Sequence, residues 1–366
     1  MRSLRTLTTA TLALATLALA ACGQATSGSA SASSAGSATV ASASAAKPTP
    51  FDKGPVKIAL VRQSGAGDYF QQWGNGAQLQ AKAAGIDLTV YDAQGDNAKQ
   101  VTDLQTAIGS GAAGIIIDHG NKDTLAPLVR QATDKGIPVV VYDADLGDAA
   151  PKAVLTSQSD EDLATLVLTQ AAQDLGKGAK VGYVNAHGFA PLDRRDVVWK
   201  TFLGTNTWQQ EFFVGKVTSA TATDNAPLVD AALTAHPDVT GIFAPYDELT
   251  KATVTAVKQN TLQGKVKVYG IDISNADLEV LTAANSPWQA TATTDPNAVG
   301  AAVVRTAALH VAGQLSTTKV TFPGVLVTRQ FLLDHAVKNL DDLRKALPGL
   351  NLTTVSTAPW LPVVGF

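Results

Sequence analysis

The stretch Ala113-Gly114-Ile115-Ile116-Ile117, a segment over 125–135 closed by Gly136, and Ile137-Pro138-Val139-Val140-Val141-Tyr142-Asp143 together decide the fold. The two uninterrupted apolar runs read as short strands buried on both faces. Between them lies a helix with glycine as its stop, and Pro138 is tolerated at a strand start. Strand, single helix and strand make a right-handed βαβ crossover, the repeating unit of a parallel sheet.

The alternation continues in both directions. Upstream, Val56-Lys57-Ile58-Ala59-Leu60-Val61 reads as a buried strand, followed by a loop over 63–68 and a helix over 69–84 stopped by Gly85. A strand over 87–91 follows. The next helix, over 97–110, places Val101, Leu104, Ala107 and Ile108 on one face. Downstream a second series begins, with helices over 160–175, 193–202, 226–235 and 248–259. Strands over 180–185, 211–217, 240–244 and 266–270 alternate with them. A strand over 288–294, a helix over 296–313, a strand over 324–328 and a short helix over 340–347 follow, and Trp360-Leu361-Pro362 is expected to wrap the body. Two series predict two α/β domains.

The N-terminus reads as an export signal. Met1-Arg2-Ser3-Leu4-Arg5 is basic, 11–21 is apolar, and small residues precede Cys22 in Leu19-Ala20-Ala21-Cys22-Gly23. The segment resembles a bacterial lipoprotein signal with its lipobox at 19–22. That resemblance implies a signal peptide over 1–21 and lipid on Cys22, the mature N-terminus; an ordinary signal with a chance cysteine is the alternative. Residues 23–42 are almost all Ser, Ala, Gly and Thr, and Pro48 and Pro50 follow, so 22–52 is expected to be a disordered tether.

Composition excludes several chemistries. Cys22 is the only cysteine, so no internal disulfide, cysteine zinc cluster or thiol nucleophile is available after it. Loss of Arg2 and Arg5 with the signal takes the formal charge from −3 to −5, and no basic run points to nucleic acid. Beyond the signal no apolar run is long enough to span a membrane. After the first strand Gly65 and Gly67 lack the third glycine of a dinucleotide fingerprint, Phe70 standing there, and Asp68 opposes a pyrophosphate. There is no GxxxxGK[ST], GxSxG or HExxH, nor a DxDxDG-type calcium loop. The five histidines are scattered; His119 and His187 follow strands, where pocket loops emerge. No cofactor, metal or catalytic residue is expected.

A pattern at strand ends remains. Asp68-Tyr69-Phe70, Asp143 with Asp145, Tyr246-Asp247 and Asp272 all follow predicted strands, and in parallel α/β sheets ligands collect outside the carboxyl ends of strands. Aromatic faces cover the apolar C–H patches of a sugar, carboxylates accept hydroxyl hydrogens, and arginine donates to hydroxyl oxygens. Each aspartate taken alone is also a good helix cap.

At these residues the chain resembles the ribose-type periplasmic sugar-binding proteins of ABC transport systems, which share their fold with LacI-type repressor ligand domains. The landmarks are Lys57-Ile58-Ala59-Leu60-Val61, Asp68-Tyr69-Phe70, Gly114-Ile115-Ile116-Ile117 and Ile137 to Asp143. The second half adds His236-Pro237-Asp238-Val239-Thr240-Gly241-Ile242-Phe243-Ala244, Asp247-Glu248 and Val268-Tyr269-Gly270-Ile271-Asp272. The resemblance implies periplasmic binding protein type I architecture: two similar parallel-sheet lobes joined by three crossings around a ligand cleft. The lobes would comprise 55–158 with 295–325, and 159–294 with 326–366. Tyr69 and Phe70 match the first-lobe aromatic pair, Asp143 and Asp272 the acidic residues of the two lobes, and Asp295 the polar residue at the late crossing. A second-lobe arginine falls at Arg194 or Arg195, with Arg195 the candidate. Tyr246 stands where ribose-like binders usually have Asn, and Ala144 where Arg often follows the acidic residue.

The ligand-binding set expected is therefore Asp68, Tyr69, Phe70, Asp143, Asp145, Arg195, Tyr246, Asp247, Asp272 and Asp295. The resemblance implies a lipid-anchored, extracytoplasmic monomer that captures a sugar or polyol and hands it to a permease with a separate ATPase. A lipid-anchored sugar sensor and an extracytoplasmic sugar-modifying enzyme are the alternatives.

Overall fold

The computed structural model describes residues 38–366. Along the chain run β1 (Thr39–Ala41), β2 (Val56–Arg62), α1 (Asp68–Ala84), β3 (Ile86–Asp92), α2 (Asn97–Gly109), β4 (Gly114–Asp118), α3 (Lys122–Asp134), β5 (Val139–Tyr142) and β6 (Val154–Gln158). Then come α4 (Asp160–Leu175), β7 (Lys180–Val184), α5 (Ala190–Thr205), β8 (Gln209–Val214), α6 (Thr221–Ala235), β9 (Gly241–Ala244), α7 (Asp247–Gln259), β10 (Lys267–Ile271), α8 (Asn275–Thr282) and β11 (Trp288–Thr293). The chain closes with α9 (Pro296–Val311), β12 (Lys319–Phe322), β13 (Val325–Thr328), α10 (Arg329–Asp334), α11 (Leu340–Ala346) and β14 (Val363–Gly365).

Two six-stranded sheets result. The first has the order β12-β6-β5-β4-β2-β3 and is parallel throughout. The second has the order β13-β11-β10-β9-β7-β8, parallel except for β13, which runs antiparallel to β11. These are the two expected α/β lobes. Every residue of β4 and β5 is buried, because helices cover both sheet faces. In the first lobe α1 and α9 cover one face around Trp73, Ile116 and Tyr142, while α2 and α3 cover the other around Leu104, Ile117 and Val141. In the second lobe α4 and α5 pack on one face around Tyr183, Trp199 and Phe243, and α6 to α8 with α10 and α11 on the other.

β6 escaped the sequence reading because two of its buried residues, Thr156 and Gln158, are polar. Thr156 is satisfied by donating to the Val141 carbonyl at 3.0 Å, and Gln158 by partners at the lobe junction.

The three expected crossings lie between β6 and α4, between β11 and α9, and between β12 and β13. They are stitched together: Thr294 Oγ1 donates to Gln158 Oε1 at 2.7 Å, and Ser159 N donates to the Phe322 carbonyl at 3.0 Å. The C-terminal tail adds a return not foreseen. Leu350 still packs in the second lobe, whereas Leu352, Trp360 and Leu361 belong to the first-lobe core. The expected placement of 326–366 with the second lobe therefore fails beyond about residue 351. The tail also satisfies Arg305, whose guanidinium is fully buried in α9. It donates to Gln80 Oε1 and to the carbonyls of Leu352 and Val355 at 2.8 to 3.1 Å, and burial pushes its pKa down to about 10.

The expected signal and Cys22 lie outside the described residues. The expected tether of 22–52 is not disordered through its described part. β1 pairs antiparallel with β14, and Phe51 is buried against Trp360 with ring centroids 4.8 Å apart. Phe51 supplies the burial that the Ser/Ala-rich composition alone lacks, while β1 stays exposed and is held by its backbone ladder to β14. Trp360 also donates through Nε1 to Gln314 at 2.7 Å. Trp360→Phe is expected to cost about 2 kcal/mol, combining a lost hydrogen bond with a small cavity. Urea unfolding followed by circular dichroism checks the value.

Candidate functional site

The carboxyl ends of both sheets face each other across a cleft. Three residues just past strand ends adopt the left-handed conformation although none is glycine: His119 after β4 (φ 61°), Asp143 after β5 (φ 50°) and Asp272 after β10 (φ 76°). Such backbone persists only where its surroundings over-determine it, and it concentrates at binding sites. Asp and His tolerate this region better than β-branched residues do.

A cavity of about 220 Å³ fills the cleft. Its lining includes Tyr69, Phe70 and His119 from the first lobe, Gln158 at the junction, and Arg195, Tyr246 and Asp272 from the second. Arg195 is held on three sides. Nε donates to Asp160 at 2.7 Å, and Nη1 to the Pro245 carbonyl at 2.5 Å and to Asp272 at 3.4 Å. Asp272 receives only long contacts, from Arg195 and from Gln158 at 3.4 Å. Its carboxylate therefore keeps acceptor capacity for a guest. Burial raises the Asp272 pKa, against the pull of Arg195.

His119 offers the complementary donor. Its Nδ1 lies 2.7 Å from Asp118 Oδ1, while Nε2 has no hydrogen-bond partner among the described residues. Burial works against the charged ring, but the hydrogen bond and charge of Asp118 outweigh it and raise the pKa. Asp118 is itself fixed by Arg62, 2.6 Å away. Phe70 packs edge-on against His119 at 5.0 Å and Tyr246 at 6.2 Å, a chain of aromatic rings across the lobes. The Tyr69 and Tyr142 hydroxyls pair at 2.7 Å, which fixes the Tyr69 ring at the cavity.

Of the ten residues expected at the site, Tyr69, Phe70, Arg195, Tyr246 and Asp272 line this cavity and the other five do not. Asp68 instead takes Lys251 Nζ at 2.5 Å across the lobes. Asp143 and Asp145 pair with Arg194 at 2.7 and 2.6 Å, Asp145 with its side chain largely in solvent. Burial and the charge of Asp160 push the Asp143 pKa up to about 7, against His119 and Arg194. Asp247 is buried and accepts the Glu248 amide at 2.8 Å. Asp295 caps α9 and forms an ion pair with Arg344. Sequence spacing placed these carboxylates at strand or hinge ends but gave no view of their cationic partners.

The neighbouring arginines thus divide their work: Arg195 faces the cavity, and Arg194 ties Asp160 to the first lobe through Asp143 and Asp145. His187 is exposed beside Asp193 and does not line the cavity. Trp73 and Trp288 are core residues with no exposure. Sequence reading missed Gln63, Ser64, Gln94 and Gln158, and the second-lobe wall of Phe189, Pro191, Leu192 and Val217. Most sit in irregular connections or an unrecognised strand, where periodicity gives no signal, and Pro191 and Leu192 lie in the first turn of α5, ahead of the helix expected over 193–202.

Lys251 joins the lobes. Besides Asp68 it contacts Glu248 at 2.7 Å and Asp277 at 3.6 Å. Burial disfavours its charge, but Asp277 and Asp247 outweigh that and hold the pKa above the ordinary lysine value. Lys251→Met is expected to weaken ligand binding several-fold, since a partly exposed ion pair contributes about 1 kcal/mol or less. The salt dependence of affinity should fall with it, which titrations at low and high salt would reveal.

Two lobes enclosing a polar and aromatic cavity at their sheet ends define a ligand-capturing binding protein. The family model for the periplasmic binding protein domain matches residues 58–315. The chain belongs to that family, a family of binding rather than catalytic domains. Among solved structures, the 5-methylthioribose transporter solute binding protein from Thermotoga lettingae, in complex with 5-methylthioribose, is 37% identical. It superposes with a TM-score of 0.81 over 84% of this chain and 97% of that one. The ribose import binding protein RbsB of Escherichia coli is 26% identical over 293 residues, or 75% of this chain and 90% of its own. Its Bacillus subtilis namesake is 24% identical over 204 residues, 56% of this chain and 65% of that protein.

Proposed function

We propose that this protein captures a sugar or related small polyhydroxylated ligand between its lobes outside the cytoplasm and delivers it to an ABC importer. The observation that carries the reading is the cleft cavity of about 220 Å³, where Asp272 and His119 keep free hydrogen-bonding capacity beside aromatic rings. The volume lies below the usual range for drug-sized ligands and suits a monosaccharide. Carboxylate acceptors and imidazole or guanidinium donors match hydroxyl groups, and Tyr69, Phe70 and Tyr246 match the C–H faces of a sugar ring.

Kinship with ribose import proteins and with a 5-methylthioribose binder supports a pentose, and 5-methylthioribose is the first candidate. The Asp68–Lys251 and Asp143–Arg194 pairs already join the lobes around the cavity, so that ligand and lobe contacts would stabilise the same arrangement. The lipobox at 19–22 supports export and a lipid anchor on Cys22. A thermal-shift panel of pentoses, hexoses, polyols and 5-methylthioribose tests binding, because a ligand bound only by the folded state raises its stability by mass action. Saturable stabilisation by a sugar, unchanged sugar in the recovered sample, and loss of that sugar's uptake on gene deletion support the proposal. No stabilisation by any sugar overturns it.

A further inference from the structure

The cavity lining is chemically divided. Arg195, Asp272, Gln158 and His119 supply polar contacts, whereas Phe189, Pro191, Leu192 and Val217 form a wall without hydroxyl-binding groups. The wall comes from the connections after β7 and β8, with Leu192 in the first turns of α5. Leu192 and Tyr246 belong to the apolar core of the second lobe, and Phe70, Phe189 and Val217 pack against that same cluster. The wall is therefore continuous with the core rather than a set of isolated side chains.

Two hydroxyls beside Val217 also line the cavity: that of Ser219, at an exposed position, and that of Thr218, which is already engaged. Thr218 Oγ1 donates to Asp224 at 2.8 Å and accepts the Ala220 amide at 3.1 Å. A ligand hydroxyl pressed against the Phe189, Leu192 and Val217 side chains would lose its water without gaining a partner from them. An alkyl or thioether group there would bury apolar surface instead.

Resting on the sugar-binding reading above, we propose that the ligand is a sugar with a short apolar substituent in place of one hydroxyl, and that Phe189, Leu192 and Val217 select it. The polar residues hold the remaining hydroxyls, and the wall discriminates against the fully hydroxylated parent sugar. A hydrophobic pocket rejects an added hydroxyl by about 100-fold and a missing methylene by roughly 10- to 200-fold.

The test is calorimetric titration of the purified protein with ribose, 5-deoxyribose and 5-methylthioribose. 5-Methylthioribose is expected to bind about 100-fold more tightly than ribose, with 5-deoxyribose between them. Val217→Thr, nearly isosteric and at a half-buried position, is expected to reduce that ratio about tenfold while a thermal unfolding scan shows the fold intact. Equal affinity for ribose and the two 5-substituted sugars overturns this inference and leaves the sugar-binding reading standing. A preserved ratio in Val217→Thr and in Leu192→Asn overturns the assignment of the wall. No binding of any sugar overturns the underlying reading.

Discussion

Asp272→Asn should reduce sugar affinity at least about 100-fold while leaving the fold intact. A hydrogen bond to a charged group contributes about 1.5–3 kcal/mol, and a carboxylate facing two hydroxyls loses both charge-assisted bonds on becoming an amide. Asparagine is suited to the exchange because Asp272 has φ 76°, a conformation that Asn adopts readily. Its volume is nearly the same, and although its single amide oxygen can keep only one of the Gln158 and Arg195 contacts, both are already long at 3.4 Å. Binding and stability are thereby separated. Asp272→Ala should lose binding to a similar degree but also lower the melting temperature, because alanine is strained at positive φ. Calorimetric titration beside a thermal scan resolves the two effects.

Gly300→Ala should have the largest effect on stability, about 4 kcal/mol or more, or leave the protein insoluble. α1 and α9 pack so closely that a Cβ on Gly300 would sit 2.0 Å from the Trp73 carbonyl oxygen, and one on Gly76 2.0 Å from that of Asn297. The obstacle is backbone, so no rotamer change relieves it and the helices must separate. Over-packing against movable side chains costs about 1–3 kcal/mol; a clash between two helix backbones exceeds that range. Separation would also disturb Trp73, stacked on Tyr142 at 5.3 Å, and through Tyr142 the hydroxyl that positions Tyr69. Urea unfolding of any soluble material, with Gly109→Ala as an open-space control, measures the effect.

Most of the fold was legible because its signals are local. Runs such as Ile115-Ile116-Ile117 and Val139-Val140-Val141 can be buried on both faces only in a parallel sheet, and the helices between them end at Gly85 or Gly136. β6 was hidden because Thr156 and Gln158 are buried polar residues serving the lobe junction. The return of the tail rests on Leu352, Trp360 and Leu361 meeting Phe51 and Arg305, contacts between residues far apart in sequence. The site was half legible for a related reason. Aromatic residues after strands marked Tyr69, Phe70 and Tyr246, but a carboxylate after a strand looks alike whether it faces a cavity, as Asp272 does, or an arginine, as Asp143 does. The wall joins Phe189 and Val217, in the connections after β7 and β8, to Leu192 at the start of α5, and only tertiary structure gathers it.

Calorimetric titration of the purified wild-type protein, with Asp272→Asn measured in parallel, tests the central claim most directly. Capture of a sugar in the cleft predicts saturable binding at one site per chain, a negative heat-capacity change from buried apolar surface, and near-complete loss of heat in the variant. Absence of binding by any sugar, or undiminished binding by a folded Asp272→Asn protein, would contradict capture at this cavity.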